Sequence, residues 1–591
     1  MPAPDTFVKA VLGSPLPNMI QVDLKREFPR RFLSPTANMA DWKDVEPLFN
    51  MLLERKPSSP QELEQWLLDH DELCAALSEE EARLYISMTT QTDDPAREAA
   101  FQHFVEEITP RTKPLMQAAE KAYLANPHRA LLPADRYAVL NRKSENSVAL
   151  FRAENVPLET QDELLAQKYT KCMGAMTVTV NDKELTLQQA GKLLEQTDRG
   201  LRQQVWERMT ARQLQDKETL DQIFDQLVAL RAEIADNAGF ANYRDYAFRR
   251  RERFDYTPED CYRFHEAVDR AVMPLARKIR ARRRQMLNVD PLRPWDLAVD
   301  PLGRAPLVPF STTAQFVQGT KEIFAQVDPA FADQFQFMID RQLLELENRK
   351  GKAPGGYQSS LQEHRFPFIF MNAVGRDLDI RTLVHEGGHA FHMLAARDEP
   401  LLEYRHAPIE FCEVASMGME LLALPHLHAF YENDQDYQRA CRTRLEDLVL
   451  LFPVIALGDA FQHWVYSHPR HTREERAEKW LELANRFTAV VDWTAYEEQR
   501  ASQWHGTLHF FALPFYYIEY GIAQIGALQV WMNSLRNYPQ AVERYWKALS
   551  LGGSRPLPEL FEAAGASFRF DYASLQPLMD AIGEKLDQFG A

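Results

Sequence analysis

The chain has 591 residues, of which 45% are hydrophobic and 26% charged, a composition that excludes a disordered protein. Its 85 acidic side chains outnumber 68 Lys and Arg, and the formal net charge of −17 argues against a protein that grips nucleic-acid phosphates. The five cysteines form no CxxC pair, which disfavours a disulfide framework or a thiolate zinc framework.

No targeting or membrane-spanning segment is recognisable in the sequence. Residues 1–23 contain four prolines and Asp5, unlike a signal peptide with a basic start and an unbroken apolar run. The longest apolar run, residues 448–458, contains Pro453 and is shorter than the ~20 residues that cross a bilayer. We therefore expect a cytoplasmic protein with neither nucleic acid nor a membrane as partner. The oligomeric state stays open.

Most of the chain is predicted to be helical. Long stretches are rich in Glu, Leu, Ala, Arg and Gln, and their apolar positions recur every three or four residues. Thr257 and Pro258, followed by two acids, form a typical helix start. The longest such stretches are residues 60–84, 94–123, 187–237 and 258–287.

Strand signals are rare. Residues 175–186 read as a β-hairpin whose loop is the three residues 181–183. Residues 366–372, FPFIFMN, are a second strand candidate, and the proline-rich residues 287–310 read as a long connection. We place a domain boundary near residue 195, between an N-terminal helical region, 1–195, that carries the hairpin and a larger region, 196–591.

Residues 381–392, RTLVHEGGHAFH, contain an HExxH pattern that a chain of this composition would show by chance only about 0.06 times. On a helix, His385 and His389 lie on one face with Cβ atoms ~5–6 Å apart. Both can therefore reach one tetrahedral Zn²⁺ ion. Glu386 is turned ~100° from His385 around the helix, which suits a general base rather than a ligand.

Two adjacent glycines follow Glu386. Gly387 and Gly388 each cost about 1 kcal/mol relative to Ala inside a helix. The sequence therefore predicts that another part of the molecule approaches this helix closely.

A catalytic zinc ion needs a third protein ligand. His392 lies two turns, about 10 Å, from His385 along the helix axis, so the two cannot easily bind the same metal ion. Downstream, Glu410, Glu413 and Glu420 form an acidic stripe among apolar neighbours, where a metal and its surroundings would stabilise buried carboxylates. A solvated acidic face explains the same spacing, so the residues alone leave the third ligand open.

These motifs resemble the thimet oligopeptidase and oligoendopeptidase F family of zinc peptidases. HEGGHAFH (385–392) is followed, 24 residues after His389, by Glu413 in FCEVAS. The resemblance extends in order from about residue 195 to about residue 530. The most discriminating segment is HFFALPFYYIEYGIAQIGAL, residues 509–528, because HExxH occurs in many peptidases.

The resemblance implies the chemistry of the site. It identifies His385, His389 and Glu413 as the ligands of one zinc ion per chain and Glu386 as the general base. It makes region 196–591 the catalytic region of a zinc-dependent endopeptidase that hydrolyses internal bonds of short oligopeptides.

The resemblance also assigns roles to the discriminating segment. His509 and Tyr520 correspond to residues that contact the substrate and stabilise the tetrahedral intermediate, and Tyr517 corresponds to a further contact. The spacing between His509 and Tyr517 is closer to the oligoendopeptidase F type than to the thimet type.

The fold implied by the resemblance is mainly α: a two-lobed, zincin-type helical peptidase with a deep substrate channel. A small β element is expected beside the HExxH helix. Residues 366–372 would then offer an exposed strand edge to an extended peptide.

Two other functions remain open on the sequence. A Taq-type zinc carboxypeptidase also carries HExxH on a helix, and it would need a cation such as Arg381 or Arg405 to hold the substrate's C-terminal carboxylate. A non-catalytic peptide-binding protein with a structural zinc ion is the third reading. Residues 514–521, PFYYIEYG, favour the endopeptidase over the carboxypeptidase. Glu386 argues against the non-catalytic binding protein.

Overall fold

The computed structural model describes residues 20–488 and 490–589. Helices account for most of these residues and strands for few, so the predicted mainly helical class is confirmed. The elements of the first half are, in chain order, α1 Trp42–Glu54, α2 Pro60–Thr90, α3 Pro95–His103, α4 Thr109–Ala125, α5 Ala134–Leu150, α6 Asn155–Gly174, β1 Thr177–Val180, β2 Lys183–Thr186, α7 Leu187–Gly191, α8 Arg199–Gln215, α9 Lys217–Asn237, α10 Tyr243–Arg250, α11 Pro258–Ala267 and α12 Met273–Met286.

The second half contains a three-stranded sheet and the remaining helices. They are α13 Thr313–Val327, α14 Pro329–Asp340, β3 Leu344–Glu347, β4 Tyr357–Leu361, β5 Phe366–Ala373, α15 Asp377–Ala395, α16 Ile409–Leu422, α17 Asp434–Ser467, α18 Arg473–Phe487, α19 Glu497–Ala501, α20 Leu508–Ala512, α21 Tyr517–Arg536, α22 Tyr538–Leu549, α23 Leu557–Ala563 and α24 Tyr572–Gln588.

The chain forms two compact units, and each draws on three stretches of sequence. In the described part of the chain, the first unit comprises residues 20–149, 307–440 and 526–568. The second comprises the described residues of 150–306, 441–525 and 569–589. The domain boundary near residue 195 falls inside the second unit and stays a prediction.

In the first unit, the three-stranded sheet leads directly into α15. Its strand order is β3-β5-β4, with β3 parallel and β4 antiparallel to β5. Ile369 of β5 is opposite Leu344 on one side and Gln358 on the other. The strand predicted at 366–372 is confirmed, but the expectation that it offers a free edge is wrong, because both of its edges are paired. The outer strands are β3 and β4.

Several predicted helices are divided in the structure. The stretch 187–237 contains α7, α8 and α9, because Asp198 caps a new helix by accepting hydrogen bonds from the backbone N–H groups of Gly200 and Leu201. The stretch 258–287 contains a π-helical turn at Val268–Val272 between α11 and α12. Helical periodicity alone does not distinguish these breaks from a continuous helix.

The β-hairpin is present, with β1 antiparallel to β2 in the second unit. Its loop has two residues rather than the predicted three. Asn181 and Asp182 both have positive φ, 51° and 60°, as a type I′ turn requires. Asn and Asp tolerate this conformation better than most residues, so Lys183 is released to pair in β2.

Helix α17 is long and apolar enough, by length and composition, to cross a membrane. However, 72% of its most apolar 18-residue window is buried inside the protein, as in a core helix. Pro453 lies within this helix, so the helix continues through the apolar run of residues 448–458 instead of breaking at the proline.

Candidate metal centre and active site

Helix α15 of the first unit packs very closely against α16 at Gly388 and against α13 at Gly387. A Cβ atom on Gly388 would lie 2.6 Å from the carbonyl oxygen of Ala415, and one on Gly387 would lie 2.5 Å from the ring of Phe324. Both distances are shorter than any side chain tolerates. The prediction that a neighbour approaches this helix closely is therefore confirmed, and the neighbour of Gly388 is the backbone of α16.

This packing brings three metal-binding side chains together. Donor atoms of His385, His389 and Glu413 lie within 4.8 Å of one another. Oε2 of Glu413 is 3.4 Å from Nε2 of His385 and 3.8 Å from Nε2 of His389. The centres of the two imidazole rings are 5.0 Å apart. The three side chains thus converge on one point between α15 and α16.

The far side of each imidazole ring is held by a hydrogen bond. Nδ1 of His385 donates to Oε1 of Glu420, and Oε2 of the same carboxylate accepts a bond of 3.3 Å from Nε of Arg381. His389 hydrogen-bonds the backbone of Cys412. Such bonds fix the tautomer and direct the other ring nitrogen toward a metal.

The third donor is charged and held in place. Oε2 of Glu413 accepts a hydrogen bond of 2.9 Å from the hydroxyl of Ser416. Burial works to raise the pKa of Glu413, but His385, His389 and Ser416 outweigh it and lower the pKa to about 2. Burial lowers the pKa of His389 to about 4. A carboxylate and a neutral imidazole are the forms that bind a metal ion.

Glu386 lies beside this group and is buried as deeply as Glu413. Its side chain is buried, with 8% of the residue exposed. Burial, reinforced by the charge of Glu413, raises the pKa of Glu386 to about 7, although His385 and a hydrogen bond from the backbone of Gln358 act in the opposite direction. A carboxylate with a pKa near 7 can both accept and return a proton at neutral pH.

The start of α15 is fixed by a carboxylate cap. Oδ2 of Asp379 accepts hydrogen bonds from the backbone N–H groups of Val374 (2.8 Å) and Arg376 (2.9 Å). This cap joins the end of β5 to the first turn of α15. It thereby sets the angle at which the HExxH helix leaves the sheet.

Two other candidates lie outside the metal-binding group found in the described residues. His392 is 5% exposed, and its ring packs 5.9 Å from that of Phe411. Glu410 is 4% exposed and belongs to the same helix as Glu413. The position of His392 agrees with the argument that it lies too far along the helix to bind the same metal ion as His385.

The predicted substrate-contacting residues lie together in the second unit. The ring of His509 is 5.1 Å from that of Tyr517, 5.5 Å from that of Tyr516 and 6.0 Å from that of Tyr520. Burial, helped by the charge of Arg251, lowers the pKa of His509, which favours the neutral ring.

A buried ion pair anchors the loop before α21. Nη2 of Arg253 donates to Oε1 of Glu519 at 2.7 Å and also to the carbonyl of Phe515. Nε of Arg251 donates to the carbonyl of Pro514 at 2.9 Å. These bonds fix the first turn of α21, which carries Tyr517 and Tyr520.

Sequence reasoning missed most of the groups that orient the donors. Ser416 was within reach of a local argument, because it lies three residues after Glu413 on one helix. The backbone contacts of Cys412 and Gln358 left no signal in the sequence. Glu420 was recognised only as part of an acidic stripe.

The chain was compared with known families and proteins. The sequence profile of Peptidase family M3 matches residues 192–580, and that of the Peptidase M3 N-terminal domain matches residues 32–151. Oligopeptidase PepF of Bacillus subtilis (strain 168) is 22% identical over 507 residues, which cover 83% of this chain and 68% of PepF.

Solved structures of peptidases are also similar to this chain. PZ peptidase A, solved with an inhibitor, is 28% identical with a TM-score of 0.86, and the match covers 94% of this chain and 99% of that one. A provisionally named oligoendopeptidase F from Bacillus anthracis str. Ames is 26% identical with a TM-score of 0.82, covering 94% and 98%. Since the M3 profile spans more than half of the sequence and includes the whole HExxH region, the chain belongs to peptidase family M3, and it is a metallopeptidase.

Proposed function

We propose that this chain is a zinc-dependent endopeptidase that hydrolyses internal bonds of short oligopeptides. The observation that carries the proposal is the convergence of His385, His389 and Glu413 beside a buried Glu386. Family membership supports a metal-dependent peptidase; the zinc ion, one per chain, and the residue roles are our inference.

The donor set fits zinc. Two ligand atoms of a tetrahedral zinc ion lie about 3.3 Å apart. The separations of 3.4 Å and 3.8 Å from Glu413 to the two imidazoles are close to this value. Two imidazoles and one carboxylate are also a common ligand set of catalytic zinc. When bound, zinc supplies Lewis-acid polarisation of the scissile carbonyl and lowers the pKa of water.

Glu386 is proposed as the general base. Its carboxylate takes a proton from the water whose oxygen attacks the carbonyl carbon of the peptide bond. The same proton then passes to the amine nitrogen as the C–N bond breaks. Burial raises the pKa of Glu386 above its ordinary value, which makes the carboxylate a better proton acceptor.

His509, Tyr517 and Tyr520 are proposed to bind the substrate, with Tyr520 and His509 donating hydrogen bonds to the oxyanion of the tetrahedral intermediate. The family resemblance supports these roles. The grouping of the three rings in one place, on an anchored loop and helix, agrees with it.

The edge strand β4 is proposed as the peptide-binding edge, in place of residues 366–372. The backbone of Gln358 in β4 already reaches the carboxylate of Glu386. An extended peptide that added a strand along β4 would therefore run past the general base.

The two cations suggested for the carboxypeptidase alternative already have partners within the protein. Arg405 is 8% exposed and donates to the carbonyls of Gln362, Glu399 and Pro400. Arg381 is engaged by Glu420. Arg405 is therefore unavailable to a substrate carboxylate, and Arg381 is paired with the carboxylate that orients His385, which favours the endopeptidase.

A cytoplasmic location is part of the proposal. All five cysteines lie in the described part of the chain and are present as thiols. Thiols persist in the reducing cytoplasm, where structural disulfides are rare.

The direct test uses an unmodified peptide of about ten residues, long enough to span several subsites of a strand-like binding mode. Products are identified by mass spectrometry with and without a chelator. Internal cuts that the chelator abolishes support the proposal. A ladder of products shortened one residue at a time from the C-terminus would replace it with a carboxypeptidase, and no cleavage of a panel of such peptides would favour a non-catalytic binder.

A further inference from the structure

A second group of metal-binding side chains is buried in the second unit. Cys261 belongs to α11, and Asp459 and His463 lie four residues apart on one face of α17. One donor atom from each lies within 4.8 Å of the other two. Cys261 and Asp459 are fully buried, and His463 is 2% exposed.

This group contains polar atoms that nothing in the described part of the chain satisfies. Neither ring nitrogen of His463 has a hydrogen-bond partner there, and neither does Oδ1 of Asp459. Nε2 of His463 is 3.3 Å from Oδ2 of Asp459, an ion-pair contact rather than a well-directed hydrogen bond. A buried polar atom left unsatisfied costs about 1–3 kcal/mol, so a buried imidazole without a hydrogen-bond partner requires an explanation.

The geometry resembles that of two ligands around one ion. Two groups that hydrogen-bond point at each other, whereas two ligands point at a common third atom. Nε2 of His463 and Oδ2 of Asp459 are 3.3 Å apart. Two ligand atoms of a tetrahedral zinc ion are separated by about the same distance.

Neighbouring groups hold these donors in position. Nε2 of His265 donates to Oδ2 of Asp459 at 2.8 Å, as groups around a metal ligand commonly do. The rings of Tyr262 and Phe515 lie 5.1 Å and 5.3 Å from that of His463 and restrict its rotation.

We propose that Cys261, Asp459 and His463 bind a second divalent metal ion of the zinc type, which ties α11 to α17. Thiolate, carboxylate and imidazole together suit Zn²⁺ or Co²⁺ rather than Mg²⁺ or Ca²⁺. As the metal–sulfur bond forms, the thiol of Cys261 releases its proton to solvent. The thiolate and the Asp459 carboxylate then balance the two charges of the ion, so the buried site is neutral.

The site differs in purpose from the candidate metal centre around His385. Its three side chains are buried, whereas His385 and His389 are partly exposed. The second ion would therefore lie out of reach of a substrate. This group was not recognisable from the sequence, because Cys261 stands alone rather than in a CxxC pair.

The test loads the full chain with cobalt during expression in minimal medium, since a buried site fills while the protein folds. Cobalt per chain is counted by plasma mass spectrometry, and absorption spectra are recorded. We expect two ions per chain and a thiolate-to-cobalt charge-transfer band. Cys261→Ser should lose the band and one ion, while Cys172→Ser, a cysteine of α6 outside the group, should keep both.

A further variant separates the two sites. His385→Ala should lose one cobalt ion and keep the charge-transfer band, because the candidate metal centre contains no thiolate ligand. Wild-type protein with at most one cobalt ion and no band would overturn the proposal, whether or not Cys261→Ser folds. A band that survives in Cys261→Ser would overturn it as well.

Discussion

Oε1 of Glu420 accepts a hydrogen bond from Nδ1 of His385, which joins helix α16 to the HExxH helix α15. The bond leaves Nε2 of His385 directed at Glu413, which lies about two turns before Glu420 on α16. One helix therefore supplies both a proposed ligand and the group that orients another. The register of α16 against α15 decides whether the metal centre exists.

Glu420→Gln is expected to weaken metal binding by about 10–100-fold, because the neutral amide no longer polarises and orients His385 as a carboxylate does. Competition with a chromophoric chelator measures the change. Glu410→Gln, on the same helix, is the matched control and should bind metal as the wild type does. Equal affinities in both variants would show that Glu420 does not orient the ligand.

Gly388→Ala is expected to push α15 and α16 apart. The new methyl group would lie 2.6 Å from the carbonyl oxygen of Ala415, which is backbone and cannot rotate away. Overpacking of this kind costs about 1–3 kcal/mol. Thermal denaturation should show a lower melting temperature, and metal affinity should fall.

The control for this substitution is Gly174→Ala at the end of α6. A Cβ atom there meets nothing within 4 Å, so the melting temperature should stay the same or rise slightly. If Gly388→Ala behaved like Gly174→Ala, the close approach of the two helices would not matter for stability.

Tyr520→Phe removes only a hydroxyl group and should lower kcat by about 10²–10³-fold, the usual effect of losing one oxyanion donor. Metal content should not change. Tyr516→Phe is the matched control, since its ring is 5.0 Å from that of Tyr520 and we assign it no catalytic role. A similar loss in both variants would indicate a packing effect rather than transition-state binding.

The pair of His364 and Glu79 predicts a pH-dependent stability. Nδ1 of His364 is 2.6 Å from Oε1 of Glu79, and this hydrogen bond raises the pKa of His364 despite partial burial. A raised folded-state pKa stabilises the protein below the unfolded value of about 6.5, and the contribution disappears as pH rises through the folded value.

His364→Gln should therefore reduce the melting temperature at about pH 5.5 and leave it nearly unchanged at about pH 9. The effect stays below about 1 kcal/mol because the imidazole is half exposed. In a Glu79→Gln background the pH-dependent part should vanish. A constant difference across this pH range would assign the effect to packing instead.

The sequence predicts those parts of the site that depend on local geometry. His385 and His389 share a helix face because four residues make about one turn. The two glycines, each unfavourable inside a helix, predict that another part of the molecule packs closely there. The choice among Glu410, Glu413 and Glu420 was beyond such an argument. It depends on how α16 is rotated against α15, and only the family resemblance singled out Glu413.

Strand order was also beyond the sequence. FPFIFMN reads correctly as a strand, but its central place in the sheet depends on pairing with β3 and β4, neither of which the sequence identified as a strand. The buried group of Cys261, Asp459 and His463 escaped because Cys261 is almost 200 residues from the other two and no recognised motif joins them.

Glu386→Gln gives the most direct test of the proposed mechanism. The amide keeps the shape of the side chain but cannot accept a proton, so metal content should equal that of the wild type while turnover of an internally quenched peptide falls below about a tenth. Metal analysis and turnover are measured on the same sample. A variant that retains its metal and more than about a tenth of wild-type turnover would contradict the role of Glu386 as the general base.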